Sequence, residues 1–301
     1  MKKSLIALAV AGALAVPMVA QADATLYGSL RVKVEGGDGQ EVNVNDNSSR
    51  IGIKGSVDTN IDGVKAIYHA EWSVDTADAG SDFGGRLGYV GLTGGFGTAA
   101  IGQQWTPEYS FATGVVDILD GNSSAVTLDL FRASNVVSYV TPNLGGFSGA
   151  LAVVADAEAG NDGEDVDSYH VAGKYSVAGF TGGVSYIQNE GADDMNRTAA
   201  SVAYAADALY VALLWQDREA SADDSYELAG SYAFGDTSLL ASYAEQGDAN
   251  AYSLEVQHKL GKQARVFANY MDVNEDATVA ATGFNGSAKN DTFSTGLRVD
   301  F

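Results

Sequence analysis

The chain of 301 residues has 17 basic and 39 acidic side chains, so its formal net charge of −22 argues against nucleic acid as a partner. It contains no cysteine, which excludes disulfides and thiolate chemistry. A mean hydropathy of −0.04 is too low for a bundle of membrane-spanning helices. The 36 glycines, 15 tyrosines and 3 prolines are instead typical of strands that pair on both sides.

Residues 1–22 have the pattern of a secretory signal peptide. A start with two lysines precedes the apolar residues 5–16, and Ala20 and Ala22 mark a small-residue cleavage site. A membrane anchor is the alternative, but the apolar run is shorter than the roughly 18 residues that a spanning helix needs. We therefore predict a mature domain of residues 23–301. Its net charge would be −24, because the leader holds two basic and no acidic residues.

Beyond the leader, apolar and polar side chains alternate in runs of about ten residues. In the last run, Phe293, Leu297 and Val299 share one parity, whereas Ser294 and Arg298 share the other. Successive side chains of a strand point to opposite faces, so one face of each run meets apolar surroundings and the other meets water. Sixteen strands are predicted, near residues 24–35, 49–57, 64–75, 84–93, 96–104, 135–141, 146–156, 166–176, 179–189, 196–205, 208–216, 224–234, 237–245, 251–259, 263–273 and 291–301.

The connections between these strands alternate between long acidic and short glycine-rich segments. The long ones are residues 36–48, 76–83, 105–134, 157–165, 190–195, 217–223, 246–250 and 274–290. This two-sided layout predicts an all-β, transmembrane antiparallel barrel with long loops at one end, and a soluble β-sandwich gives no reason for it. Sixteen strands enclose a lumen too wide for side chains to fill, so the lumen holds water.

One long connection, residues 105–134, does not alternate. A long segment without strand pattern inside a compact fold is usually functional. We interpret it as the third external loop, folded into the barrel so that it narrows a water-filled pore. A passive channel is the function that this interpretation predicts.

The mature chain resembles the general diffusion porins of Gram-negative outer membranes over its whole length. The resemblance rests on residues 24–28 (ATLYG), 49–55 (SRIGIKG), 86–92 (RLGYVGL), 96–98 (FGT), 101–103 (IGQ) and the C-terminal Phe301. It implies a homotrimer of sixteen-stranded barrels in outer-membrane lipid that passes small hydrophilic solutes and ions and has no cofactor. It also implies that Phe301 is read by the barrel-assembly machinery.

The resemblance further implies a constriction, where carboxylates of the inward loop face arginines of the opposite wall. The residues that match this constriction are Arg50, Arg86, Arg132, Asp117, Asp120 and Glu108, and Asp129 lies on the same loop. Ser29 stands where the family has another basic residue, so Arg31, Lys33 and Lys54 are expected to be further lumen-facing cations. For each arginine the alternative is an ordinary solvated lumen residue.

The charges also predict ion selectivity. The acidic loops should concentrate cations at the pore entrance, and Asp117 and Asp120 should offset the arginines at the constriction. We predict a weak preference for cations that is stronger at low salt, where loop charges are less screened.

Two other functions stay open. A substrate-selective channel of the same fold would differ from a general one at a few loop residues. An outer-membrane enzyme would need a Ser and a His held together, but His69, His170 and His258 lie far apart in sequence, and no GxSxG, HExxH or P-loop motif is present. No metal site is predicted, since the acidic run 158–165 lacks the ligand spacing of an EF-hand.

Overall fold

The structure is a computed structural model that describes residues 23–38, 40–77, 83–122, 130–155, 165–190, 196–219, 221, 223–274 and 291–301. The predicted signal peptide lies outside the described residues. In the part of the chain that is described, no helix is long and apolar enough to cross a membrane.

The described chain forms one antiparallel sheet and a short helix. The strands are β1 Thr25–Gly37, β2 Gln40–Asp46, β3 Arg50–Asp58, β4 Val64–Ser73, β5 Gly84–Gly94, β6 Gly97–Trp105, β7 Arg132–Val140, β8 Phe147–Val154, β9 Ser168–Val177, β10 Phe180–Asn189, β11 Arg197–Ala206, β12 Leu209–Arg218, β13 Ser225–Phe234, β14 Thr237–Gln246, β15 Ala249–Lys259, β16 Ala264–Val273 and β17 Thr292–Asp300. Helix α1 spans Pro107–Phe111 and is followed by a 3-10 turn at Thr113–Val115.

The sheet closes on itself because the last strand pairs with the first. The β17–β1 ladder runs from Asp300 opposite Ser29 to Thr292 opposite Gly37. On its other edge β1 pairs with β3 in its first half and with β2 in its second half. Strands β2 and β3 are thus one strand interrupted at residues 47–49, where Ser48 adopts a φ of 63°. Counted this way, the barrel has sixteen strands, and the predicted fold class is confirmed.

Two connections predicted to be long are strand instead. Residues 36–48 contain all of β2, so that β1 and β2 form a hairpin in which Val34 faces Val44. Residues 246–250 contain only a two-residue turn, in which Gly247 has a φ of 57°. In both places the polar, acidic composition suggested loop, but backbone pairing continues past the apolar belt and does not depend on side-chain hydropathy.

The two faces of the barrel invert the pattern of a soluble protein. Leu228, Leu254 and Phe293 point outward and are 49–56% exposed, whereas the inward Glu227 and Ser253 are fully buried. An apolar outer band around a polar interior is the arrangement that lipid on one side and water on the other require.

The C-terminal residue completes the closure. The backbone N–H of Gly28 donates to the Phe301 carbonyl at 2.9 Å, and the Phe301 N–H donates to the Gly28 carbonyl at 3.0 Å. The Phe301 ring lies over Gly28, where any Cβ atom would overlap the ring. The missing side chain of Gly28 therefore makes room for the terminal aromatic.

Inside the barrel, one stretch of wall carries several small side chains. Ala199, Ala203, Ala212 and Ala229 of β11–β13 are at most 5% exposed and pack with Val116 of the β6–β7 connection. Small residues on the inner wall leave the volume that this connection fills.

Candidate constriction site

The connection between β6 and β7, residues 106–131, is called the pore segment below; residues 123–129 of it are outside the described residues. It begins at a capped helix. The Thr106 hydroxyl accepts a hydrogen bond from the Tyr109 N–H at 3.1 Å, and Pro107 occupies the start of α1. The same hydroxyl donates to the Leu130 carbonyl at 2.8 Å, so both ends of the segment are tied together.

The first half of the pore segment follows the inner face of the wall from β8 to β12. Helix α1 packs against β8, β9 and β10, and the 3-10 turn packs against β11 and β12. The Lys174 ammonium donates to the Ser110 carbonyl at 3.3 Å and lies 4.7 Å from the centroid of the Phe111 ring. The Tyr210 hydroxyl donates to the Val115 carbonyl at 2.7 Å. These contacts fix the segment to residues on the water-facing side of the strands.

The second half ends in a tip, residues 120–122, which is held by β15, β16 and β17. The two carboxylate oxygens of Glu255 accept from the backbone N–H groups of Asp120 at 2.9 Å and Gly121 at 2.7 Å. The Asp120 carboxylate accepts from both Nε and Nη2 of Arg265, the latter at 2.6 Å, and from Nη1 of Arg298 at 3.0 Å. We call Glu255, Arg265, Arg298 and Asn269 the docking site.

Burial alone would raise the pKa of the Asp120 carboxyl, whose side chain is 3% exposed. The hydrogen bonds and positive charges of Arg265 and Arg298 outweigh burial, so this pKa lies below its ordinary value. Asp120 is therefore ionised at neutral pH and binds the two arginines as a carboxylate.

Asn122 and Gly121 complete the docking of the tip. The Asn122 carbonyl accepts from the Ser253 hydroxyl at 3.0 Å and from the Asn269 amide at 3.1 Å, and its side-chain oxygen accepts from Lys33 Nζ at 2.6 Å. A Cβ atom on Gly121 would lie 2.5 Å from Cβ of Asn269. The tip can approach the wall this closely because residue 121 is glycine.

Between the pore segment and the opposite wall lies a cavity of about 440 Å³. Its lining combines arginines from β1, β3, β5, β7, β16 and β17 with aromatic, aliphatic and acidic residues of the segment and its flanks. The lining residues are Arg31, Asn47, Ser48, Arg50, Arg86, Trp105, Tyr109, Asp117, Ile118, Leu119, Asp120, Gly121, Phe131, Arg132, Arg265 and Arg298. We call Arg31, Arg50, Arg86 and Arg132 the arginine wall.

Carboxylates neutralise the arginine wall only in part. Arg86 Nε lies 2.7 Å from Glu71, and Arg50 Nε lies 3.7 Å from the same carboxylate. Arg31 donates to the Ser29 hydroxyl at 2.8 Å, and no carboxylate of the described residues lies within 4.0 Å of its guanidinium. Positive charge is therefore available on this wall.

The structure brings most of the predicted constriction residues together. Arg50, Arg86, Arg132, Asp117 and Asp120 all line the cavity, and so does Arg31, which was expected only as a further lumen cation. Their role in conduction stays a prediction. Asp129 is outside the described residues.

Glu108 lies elsewhere, which corrects the prediction for this residue. It is on the face of α1 that points to the wall and is 1% exposed, 2.9 Å from Arg197 and 3.0 Å from Gln216. Successive residues of a helix point in different directions, so Glu108 packs against the wall while Tyr109 lines the cavity.

Two of the expected lumen cations also lie outside the cavity lining. Lys33 binds Asn122 at the tip and forms an ion pair of 2.6 Å with Glu35. Lys54 lies 5.1 Å from the centroid of the Tyr27 ring, on the far side of Glu71 from the pore segment. Lys33 therefore takes part in docking, and Lys54 serves below as a control for lumen charge.

The docking site and the aromatic part of the lining were not predicted from the sequence. Arg298 has the water-facing parity, and the same signal marks Glu71, Glu255 and Arg265. Parity tells which residues face the lumen, but not which of them stand at the height of the pore segment.

Comparisons with known proteins agree with this fold. A sequence model of the Gram-negative porin family matches residues 7–278. The major outer membrane protein P.IB of Neisseria meningitidis serogroup A is 32% identical over 275 residues, which cover 81% of each chain. The same protein from Neisseria lactamica is 31% identical over 282 residues, covering 81% of this chain and 82% of the relative.

Solved structures share the fold at low identity. An anion-selective porin from Comamonas acidovorans superposes with a TM-score of 0.74 at 19% identity, over 93% of this chain and 100% of that one. OmpF of Salmonella typhi, in complex with daunomycin, superposes with a TM-score of 0.77 at 15% identity, over 92% of this chain and 97% of that one. OmpT of Vibrio cholerae, in its trimer form, superposes with a TM-score of 0.71 at 16% identity, over 93% of this chain and 99% of that one.

The family match spans most of the chain, and the relatives exceed 30% identity over four fifths of it. The closed sixteen-stranded barrel with an apolar outer band is the fold that these relatives lead one to expect. The chain therefore belongs to the Gram-negative porin family and is an outer-membrane porin.

Proposed function

We propose that this porin passes small hydrophilic solutes and ions by passive diffusion and that the pore segment forms the narrowest part of its channel. The cavity between the arginine wall and the pore segment supports this proposal most directly, because charged side chains line it on two sides. Opposed charges orient water and polar solutes and disfavour large apolar molecules.

The test of the narrowing is single-channel recording in planar bilayers. Deletion of residues 112–125 should raise the conductance, because the segment would no longer occupy the lumen. Altered gel mobility on heating shows whether the variant barrel is folded. An unchanged conductance in a folded variant would mean that the segment does not limit the current.

Ion selectivity results from two opposing charge distributions. The mature chain carries a net charge of −24, which favours cations at the pore entrances. Six arginines and two aspartates line the cavity, and Glu71 and Asp300 add two carboxylates that pair with these arginines. A positive surplus therefore remains at the narrow part.

Salt separates the two contributions. The screening length is about 30 Å at 0.01 M and about 3 Å at 1 M, so distant loop charges act only at low salt. We propose a weak cation preference at low salt that declines and becomes an anion preference at high salt. Reversal potentials under KCl gradients measure this change. An anion preference at low salt would refute the role of the loops, and a cation preference at high salt would refute the role of the arginines.

We also propose that the protein is a homotrimer in outer-membrane lipid and that Phe301 is the residue read by the barrel-assembly machinery. Family membership and the trimeric form of the Vibrio cholerae relative support the first part. After chemical crosslinking of the purified protein in detergent, the largest crosslinked species should contain three chains. A species that stops at one chain would contradict the trimer.

The structure gives little support to an enzyme. The Ser168 hydroxyl lies 2.9 Å from Nε2 of His170, but both side chains are buried, and no described residue provides a hydrogen-bond partner for Nδ1 of His170. A catalytic Ser–His pair needs access to substrate and usually a group that orients the imidazole. Among the described residues, no group of three His, Asp or Glu could hold a metal ion.

A further inference from the structure

The cavity at the pore segment has two walls of opposite chemistry. Arg31, Arg50 and Arg86 present guanidinium groups on one side. The other side carries the carboxylates of Asp117 and Asp120 and, beside them, five large apolar or aromatic residues, which are Trp105, Tyr109, Ile118, Leu119 and Phe131. Passage of hydrated inorganic ions gives no reason for apolar side chains at this place, since such surfaces do not bind water well.

The apolar side is held in a fixed arrangement. The rings of Trp105 and Tyr109 are stacked, with centroids 4.7 Å apart and an interplanar angle of 19°, and Phe131 lies 5.2 Å from Tyr109. The Tyr109 hydroxyl donates to the Asp117 carboxylate at 2.7 Å. Surfaces that are ordered before binding lose less conformational entropy when a ligand arrives.

Arg132 joins the two walls. Its guanidinium carbon lies 5.0 Å from the centroid of the Trp105 ring, so cation and aromatic surface are neighbours. A solute that places a carboxylate against the arginines therefore brings the rest of its body next to Trp105 and Leu119. The volume of about 440 Å³ is in the range of about 300–1,000 Å³ that small-molecule sites occupy.

Leu119 distinguishes a binding surface from a packing surface. Ile118, Tyr109 and Phe131 also pack against the buried cluster of Ala112 and Val116. Leu119 lines the cavity without being part of that cluster. Its apolar surface thus contributes to the cavity rather than to the attachment of the pore segment.

We propose that this cavity is a binding subsite for small carboxylates with a compact apolar body, for which benzoate is the probe. The carboxylate would bind the arginine wall through charge-assisted hydrogen bonds, and the ring would lie against Trp105, Tyr109 and Leu119. The proposal rests on the proposed function, since solutes must reach the cavity through the channel, and it names a solute class that the channel retains in passage.

The experiment measures chloride current through the full mature porin in planar bilayers while benzoate or acetate is added. Benzoate should reduce the current in a saturable manner, at a half-blocking concentration about tenfold below that of acetate, because only benzoate has apolar surface to bury. Equal effects of the two anions in the wild-type channel would overturn the proposal without any variant.

Two variants locate the subsite. Leu119→Asn keeps the side-chain size, removes its apolar character and should raise the half-blocking concentration of benzoate about threefold, leaving that of acetate unaltered. Arg31→Gln should weaken both anions, whereas the matched Lys54→Gln removes a lumen charge outside the cavity and should alter neither. A benzoate effect that survives Leu119→Asn and Arg31→Gln would place the binding elsewhere and contradict the proposal.

The outcomes separate this inference from the proposed function. A folded porin without any chloride current would contradict the proposed channel itself. A channel with normal chloride current on which benzoate acts no more strongly than acetate would contradict only the subsite.

Discussion

Two groups of arginines line the same cavity, and their partners give them different tasks. Arg265 and Arg298 of the docking site both bind the buried carboxylate of Asp120. Arg31 and Arg132 of the arginine wall have no such partner in the described structure; the first contacts a serine hydroxyl and the second an aromatic ring. One group therefore fixes the pore segment, and the other remains available to ions and solutes.

This difference shows that a count of lumen arginines does not predict selectivity. A guanidinium that is neutralised by a carboxylate at 3.0 Å presents little net charge to a passing ion. The same carboxylate also orders the tip of the pore segment, so its removal should alter the shape and the charge of the channel together. Substitutions in the two groups of arginines and in their partners should therefore have different effects on docking and on selectivity.

Asp120→Asn should have the largest effect. The substitution leaves Arg265 without a carboxylate partner, whereas Arg298 keeps Asp300 at 2.9 Å. Because both arginines are partly exposed, the cost lies below the roughly 3–5 kcal/mol of a fully buried pair. We expect release of the tip, larger current fluctuations and a shift of the reversal potential toward anions. Asp117→Asn is the matched control, because Asp117 is exposed and its hydrogen bond goes to Tyr109 rather than to the docking site.

The control should shift selectivity slightly and leave the fluctuations unaltered. If both substitutions act alike in single-channel recordings, Asp120 has no special role in docking. If neither changes selectivity, the two acids do not lie on the ion path.

Glu255→Gln should have the next largest effect. The glutamine amide has one acceptor oxygen, so one of the N–H groups of Asp120 and Gly121 loses its partner, at a cost of about 1–3 kcal/mol. Current noise should increase, less than for Asp120→Asn. Glu245→Gln on the neighbouring strand β14 is a suitable control, since Glu245 bonds Tyr243. Equal noise in the two variants would refute the docking role of Glu255.

Gly121→Ala should weaken docking by about 1 kcal/mol, because overpacking against Asn269 forces the tip to move. Gly88→Ala in β5 is the matched control, since its added Cβ would meet no atom within 4 Å. Two measurements would show the difference: the temperature at which half of the protein loses the gel mobility of the folded barrel, and the current noise. Identical behaviour of the two alanine variants would contradict close contact at residue 121.

Arg31→Gln should leave docking intact and change only selectivity. We expect a shift of the reversal potential toward cations at high salt, without additional current noise, because Arg31 contacts Ser29 and not the tip. Arg265→Gln should instead increase the noise. Additional noise in Arg31→Gln and none in Arg265→Gln would contradict the roles that we assign to the two groups of arginines.

Mild acid should leave the contacts of Asp120 with Arg265 and Arg298 intact. The pKa of Asp120 is lowered in the folded protein, so its stabilising contribution is complete above the ordinary Asp value of about 3.9 and is lost only as the pH falls through the lowered pKa. In Glu255→Gln, where the second docking carboxylate is removed, current noise at pH 5 should therefore equal that at pH 7. Additional noise at pH 5 in this variant would contradict an ionised Asp120 held by Arg265 and Arg298.

Local residue patterns are sufficient to predict the barrel. Alternation is a local property of an extended chain, so residues such as Phe293 and Ser294 are assigned to opposite faces without knowledge of their neighbours. Sixteen alternating runs in a chain with few prolines leave a closed barrel as the arrangement that satisfies the backbone in lipid. The hairpin that contains the acidic strand β2 was not predicted, because side-chain hydropathy gives no signal for backbone pairing outside the apolar outer band of the barrel.

Which charged side chains come into contact depends on long-range packing. Asp120 and Arg265 are 145 residues apart, and their contact depends on the stagger of sixteen strands and on the path of the pore segment. Glu108 and Asp117 belong to the same segment, yet one packs against the wall and the other lines the cavity. The register of distant strands and the path of a loop result from many small interactions along the whole chain. No local pattern of residues therefore predicts either of them.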